Sequence, residues 1–229
     1  MPNKRAKNKA DWVSPAAFAA QLTYLKNISA KFLTFEDLSK IQNGKMKMPA
    51  NPVLLTFECG YKNFITNALP LIKEYGAKAN VFLVYNAVGH HNAWVNIKTE
   101  PWQDMLTWED IAALKKSKLV SFGSSGLSYG DIISQTKEQA EYEVKESKNR
   151  FEAAGLECSA FAVPLYSKKI AQELRDIIVE AGYSFYLYNT RGVQETEIQK
   201  GCELKRIFIS SKDNMFDFKT KLKSGKGYN

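Results

Sequence analysis

The chain has 229 residues, 45% hydrophobic and 24% charged, enough for one globular domain with a sizeable core and too apolar for an intrinsically disordered chain. No apolar run approaches the roughly 18 residues of a membrane-spanning helix, and no hydrophobic signal core follows the basic start, so the chain as given is not expected to be a secretion precursor. The net charge of +8 resides at the ends: Lys4, Arg5, Lys7 and Lys9 supply +4, residues 212–229 supply +3, and +1 is left for the body, which reads as solvated tails around a nearly neutral domain and gives no nucleic-acid partner.

In chain order, residues 1–10 read as a basic flexible tail. Ser14-Pro15 has the form of an N-cap and first helical residue, with Phe18, Leu22 and Leu25 at helical spacing behind it. Residues 31–34 predict a short strand, and Thr34 with Asp37 a capping box for a short helix. After a loop over 44–52, the apolar run 52–57 predicts one strand buried on both faces. Residues 62–75 place Phe64, Ala68, Leu71, Ile72 and Tyr75 on one helical stripe stopped by Gly76, and 79–85 reads as a second buried strand.

The segment 86–106 is long for a plain connector and carries His90, His91, Trp94 and Trp102. A helix then starts at Thr107 and runs to about Lys116, followed by a strand at 119–122 and a glycine- and serine-rich turn at 123–130. The longest helix spans 136–154, with Ala140, Val144, Ser147 and Phe151 in register. Strands at 159–163, 183–188 and 204–209 and helices at 168–181 and 212–222 complete the pattern, and 224–229 reads as a flexible C-terminal tail around a single domain of 11–223.

Helices alternating with six or seven short apolar strands give a parallel α/β fold. No GxGxxG follows the first strand, which favours a distorted (β/α) barrel of about seven strands over an open dinucleotide-binding sheet. The working face of such a barrel lies at the strand C-termini, which singles out Glu58, Cys59 and Gly60, His90 and His91, residues 123–129, and residues 164–166. Cys59, Cys158 and Cys202 fit neither a disulfide framework nor a CxxC knuckle, and His90 and His91 are the chain's two histidines.

The stretch Leu55-Thr56-Phe57-Glu58-Cys59-Gly60-Tyr61 resembles the T-F-D-D-G-Y motif of the polysaccharide deacetylases, carbohydrate esterase family 4, also called the nodulation-B homology domain. The resemblance continues through Ala68 to Ala79 (the family's "LPLLKKYGVKAT"), Leu106 to Ile111 ("LTWEQI"), Phe161 to Pro164 ("FAYPYG"), Ala181-Gly182-Tyr183 and Lys205-Arg206-Ile207, nearly the whole chain. It implies the family fold and the family reaction, metal-dependent hydrolysis of an N-acetyl group on a sugar. There one Asp and two His hold a divalent cation, another Asp is general base, a late His is general acid, and a backbone N–H near the P-Y-G turn holds the oxyanion.

Carried onto this sequence, the base position is Glu58 and the three metal positions are Cys59, Ser125 and Tyr129. Neutral hydroxyls are poor zinc ligands beside imidazole or thiolate. The P-Y-G turn has become Pro164-Leu165-Tyr166, and no histidine follows His91 to supply the acid. The resemblance thus implies a scaffold whose reaction is lost and which needs no cofactor: a non-catalytic carbohydrate-binding or interaction domain, with an N-acetylated glycan as partner and Pro164, Leu165, Trp94 and Trp102 as groove residues.

Two readings compete with it. In one, Glu58, Cys59 and His90 or His91 form a relocated hydrolase site, with zinc or another divalent metal or as a thiol–imidazole pair. In the other, the chain is structural, with Tyr129 plugging the old metal pocket and Glu58 accepting hydrogen bonds from Ser125 or Tyr129. The family's frequent place at the cell envelope implies export, for which the chain shows no signal.

Overall fold

The computed structural model describes residues 12–98, 100–163, 172–188, 192–193, 198–199 and 201–225. Its centre is a six-stranded parallel sheet in sequential order: β3 (Thr56–Phe57), β4 (Ala79–Leu83), β5 (Val120–Ser124), β6 (Ala160–Ala162), β7 (Phe185–Leu187) and β8 (Cys202–Glu203). A separate parallel pair joins β1 (Lys31–Phe32) to β2 (Pro52–Val53). The helices are α1 (Pro15–Asn27), α2 (Phe35–Gln42), α3 (Leu69–Glu74), α4 (Trp108–Lys116), α5 (Lys137–Ala153), α6 (Gln172–Glu180) and α7 (Met215–Ser224). This is the expected α/β architecture, a curled sheet with β3 and β8 as its edges; among the described residues no ladder joins those two strands.

Strand alternation divides the core. On β4, Ala79, Val81 and Leu83 face the helices while Phe82 faces the inside of the curl. On β6 and β7 the order is reversed in register: Phe161 and Tyr186 point to the helices, and Ala160, Ala162, Phe185 and Leu187 fill the interior. Gly123 on β5 makes room for this filling, since a Cβ there would lie 2.5 Å from the Phe82 ring and 2.9 Å from the Ala160 carbonyl. The strand N-termini are closed by α2, whose Phe35 packs on Phe82 and Phe185 at 5.3 and 6.5 Å between ring centres. The Phe35 N–H donates to Asn80 Oδ1 (2.8 Å) and Ser121 Oγ (3.2 Å), both buried at the starts of β4 and β5. That end is therefore sealed, and chemistry is confined to the opposite rim.

Three expected elements differ. The run 52–57 is two short strands in two sheets and is half-buried from Val53 on, because β3 is an edge strand facing a cavity. The helix expected over 62–75 begins as a π-helical segment, Phe64–Ala68, and becomes α3 only at Leu69. Pro70 has no N–H to offer Thr66, and the Leu69 N–H reaches back five residues to the Phe64 carbonyl. The strand expected at 204–209 stops early: β8 is Cys202–Glu203, the Leu204 N–H still donates to the Tyr186 carbonyl at 2.9 Å, and the chain then leaves the ladder where Arg206 turns across the rim. The tail at 1–10, residues 226–229 of the tail expected at 224–229, and the start of the helix expected at 168 lie outside the described residues, while Ser224 ends α7 and Gly225 caps it.

Candidate functional site

Glu58, Cys59 and Gly60 leave the end of β3 in a tight turn. Gly60, at φ +74°, is pressed so closely on β4 that a Cβ would lie 2.6 Å from Leu83 Cδ2. Beyond β5, the loop from Ser125 to Tyr129 is fixed by one carboxylate. Glu143 of α5 accepts the Leu127 and Ser128 N–H groups through Oε2 (2.8 and 3.1 Å) and the Ser128 hydroxyl through Oε1 (2.6 Å). From the other side the loop takes the Tyr85 and Asn86 N–H groups on the carbonyls of Gly126 and Leu127. These anchors bring Tyr129 onto Cys59, and the two side chains share a hydrogen bond and a small apolar cluster with Val84, Ala87 and Met105.

Cys59 (φ +67°) and Tyr129 (φ +60°) both hold left-handed backbone. Among residues with a Cβ that conformation favours Asn, Asp and His. These are the positions where the resemblance places the family's metal Asp and second His, residue types that suit this backbone shape. Burial, followed by the neighbouring Glu58 charge, pushes the Cys59 thiol far above its ordinary range, so it stays protonated. Ser125 is buried and its hydroxyl has no hydrogen-bond partner among the described residues. One cysteine with two hydroxyls is a poor donor set for a divalent cation beside a carboxylate and two imidazoles, and among the described residues no three His, Cys, Asp or Glu converge as a metal site. The donors do not fit the metal that the family reaction uses.

Glu58 has a different partner from the one expected. It does not bond Ser125 or Tyr129; it forms a buried ion pair with Arg206, while its Oε2 has no hydrogen-bond partner among the described residues. Arg206 also donates from Nε to the Tyr188 carbonyl (3.1 Å) and from Nη2 to the Val163 carbonyl (3.3 Å). One guanidinium thereby ties the ends of β3, β6 and β7 together across the gap between the sheet edges.

His90 and His91 stay out of the site. Both are exposed; His91 Nδ1 lies 3.0 Å from Asp104 Oδ1 and its ring stacks on Trp102 at 5.9 Å. Trp102, 45% exposed, belongs to this outer cluster. Trp94 points the other way, packing on Tyr129 at 4.8 Å and Tyr61 at 6.5 Å, with Trp12 against Tyr61 at 5.0 Å. The structure therefore brings together Glu58, Cys59, Tyr129 and Trp94, and does not bring a histidine or Trp102 to them. Pro164 and Leu165 lie outside the described residues. The 86–106 segment is pinned by buried Asn92, whose Oδ1 accepts the Gln103 N–H at 2.6 Å and whose Nδ2 reaches the Tyr61 hydroxyl at 3.4 Å.

These groups form one end of a cavity of about 390 Å³ between β3 and residues 206–209, roofed by α1 and α7. Sequence reasoning missed three of the residues that shape this region. Glu143 carried no local signal. Arg206 had one, a cation beside the apolar stretch 207–209, as did Gln21, a polar residue on the buried stripe of α1.

Residues 45–186 match the family described as polysaccharide deacetylase, well over half of the chain. The chain belongs to that family. Among curated relatives, the poly-beta-1,6-N-acetyl-D-glucosamine N-deacetylase of Staphylococcus epidermidis is 30% identical over 137 residues, covering 55% of this chain and 46% of the relative. The enzyme of the same name in Staphylococcus aureus is 29% identical over 120 residues, covering 52% and 38%. The chain spans less than half the length of the curated relatives it matches. The deacetylase PplD of Streptococcus pyogenes, solved in complex with acetate, superposes with a TM-score of 0.74 at 20% identity, covering 93% of this chain and 88% of that one. A de-N-acetylase from Aggregatibacter actinomycetemcomitans gives 0.77 at 15% identity, covering 96% and 95%. At such identities these two structures establish the shared deacetylase fold.

Proposed function

We propose that this member of the polysaccharide deacetylase family has lost metal-dependent N-deacetylation and acts as a non-catalytic carbohydrate-binding or interaction domain for an N-acetylated glycan. The observation that carries the reading is the donor set at the three metal positions, Cys59, Ser125 and Tyr129, where one thiol and two hydroxyls stand in place of a carboxylate and two imidazoles. At the base position a glutamate, Glu58, stands where the resemblance places an aspartate, which sets the carboxylate one methylene further out. No step is drawn through a metal, because these residues do not fit one. What remains suits binding: the rings of Trp94, Tyr61 and Trp12 line the mouth of the cavity, and aromatic faces stack well on the C–H faces of sugars. The glycan class is inferred from the names of the staphylococcal relatives.

The test is elemental analysis after incubation with zinc and with cobalt and exhaustive dialysis. The expected result is no retained metal. Near-stoichiometric metal that disappears in Cys59→Ala would overturn the reading and restore a hydrolase.

A further inference from the structure

The cavity runs well beyond the former catalytic groups. Its walls are Phe57 and Phe64 on one side, Leu25 of α1 and Phe218 of α7 on the roof, and Trp94 and Phe208 towards the mouth. At about 390 Å³ it falls within the roughly 300–1,000 Å³ of small-molecule sites, whose walls are mostly apolar with a few placed polar groups. One such group is Gln21. It sits on the inward stripe of α1, is 6% exposed, lines the cavity, and makes no side-chain hydrogen bond to any described residue. A carboxamide is both donor and acceptor, and leaving both unmet in a buried setting is unfavourable unless an occupant meets them.

We propose that this cavity binds a neutral, mainly apolar small molecule carrying one amide or hydroxyl group, which pairs with the Gln21 carboxamide. An amide head matches Gln21 donor to acceptor in both directions. A carboxylate head does not, because Glu58 and Glu100 also face the cavity, and Arg206 already donates to Glu58 and to the Val163 and Tyr188 carbonyls. Gln21 belongs to none of the residues on which the loss of hydrolysis rests, so either inference can fail without the other.

The experiment uses the full chain. N-phenyl-1-naphthylamine, a neutral apolar fluorophore, is titrated into the protein and then displaced with decanamide, decanol or decanoate. Saturable fluorescence enhancement is expected, reversed by decanamide and decanol but not by decanoate. In Gln21→Leu the fluorophore should still bind while decanamide displaces it about tenfold more weakly, the loss of roughly one hydrogen bond. Val13→Trp, which adds bulk at another residue lining the cavity, should weaken the fluorophore itself. Circular dichroism confirms that both variants are folded. No saturable binding by the wild-type chain, displacement by decanoate as strong as by decanamide, or decanamide binding unchanged in Gln21→Leu would each overturn the proposal.

Discussion

The two sides of the curled sheet are closed by different means. On one, β4 to β7 pair in parallel, strand to neighbouring strand, and are covered by α4, α5 and α6, with Val144, Phe151, Phe161 and Ile178 fully buried. On the other, β3 and the segment after β8 face each other across a cavity, bridged by the Glu58–Arg206 pair and by the packing of α7 on α1, where Tyr24 meets Phe218 edge-on at 6.1 Å. Backbone hydrogen bonds leave no interior volume, whereas side chains meeting across a gap do. The family's incomplete curl thus yields a dense half that confers stability and an open half that can bind.

The largest test sets one substitution on both halves. Phe161→Ala should cost about 3–5 kcal/mol, read from urea midpoints, because a fully buried ring leaves a cavity that cannot collapse. Phe57→Ala, on a half-buried strand already facing a cavity, should cost roughly 1–2 kcal/mol. Equal costs would end the distinction.

Next, Arg206→Met should cost about 3 kcal/mol by leaving the Glu58 charge largely buried and unpaired, and adding Glu58→Gln should recover most of it. If the double variant is as unstable as the single, the pair is not what holds the rim.

Asp37→Asn, at the sealed end, should cost about 1 kcal/mol through loss of the α2 capping box and the Lys78 pair. Against the effect of burial, Lys78 and the Thr34 backbone hydrogen bond hold the Asp37 carboxyl below its ordinary value of 3.8. A folded value below the unfolded one means that this stabilisation is complete above about pH 4 and is lost as pH falls further, so the variant should show a flatter acid limb of unfolding.

The smallest effect concerns the thiols. Burial raises all three, Cys158 to about 12, so at pH 8 native protein should react with iodoacetamide first at the partly exposed Cys202. By the same sign, stability should decline above about pH 9, where the unfolded chain forms thiolates that the buried sites do not. Peptide mapping that found Cys59 modified first would show the rim to be looser than drawn.

The sequence made β4, β5, β6 and β7 legible because strands covered on both faces must be continuously apolar. It misjudged 52–57 and 204–209 for a related reason: apolar residues at a sheet edge are indistinguishable from buried ones until it is known that a cavity lies beside them. Glu58, Cys59, Ser125 and Tyr129 were recognisable through local motifs that travel with the family. Glu58's real partner was not, since Arg206 is 148 residues away and only the fold brings them together. Trp94 and Trp102 looked equivalent in one loop, and the turn pinned by Asn92 sends one inward and the other out.

The order of the strands has a consequence in time. Because each strand of the sheet pairs with the one made just before it, a chain emerging from the ribosome can add β4 through β8 one by one, with no strand waiting for a distant partner. The roof over the cavity has no such convenience: α1 precedes every strand of the sheet and α7 follows them all. A nascent chain therefore carries a nearly finished sheet with an open flank, exposing Phe57, Leu25 and their neighbours until α7 is made and covers them.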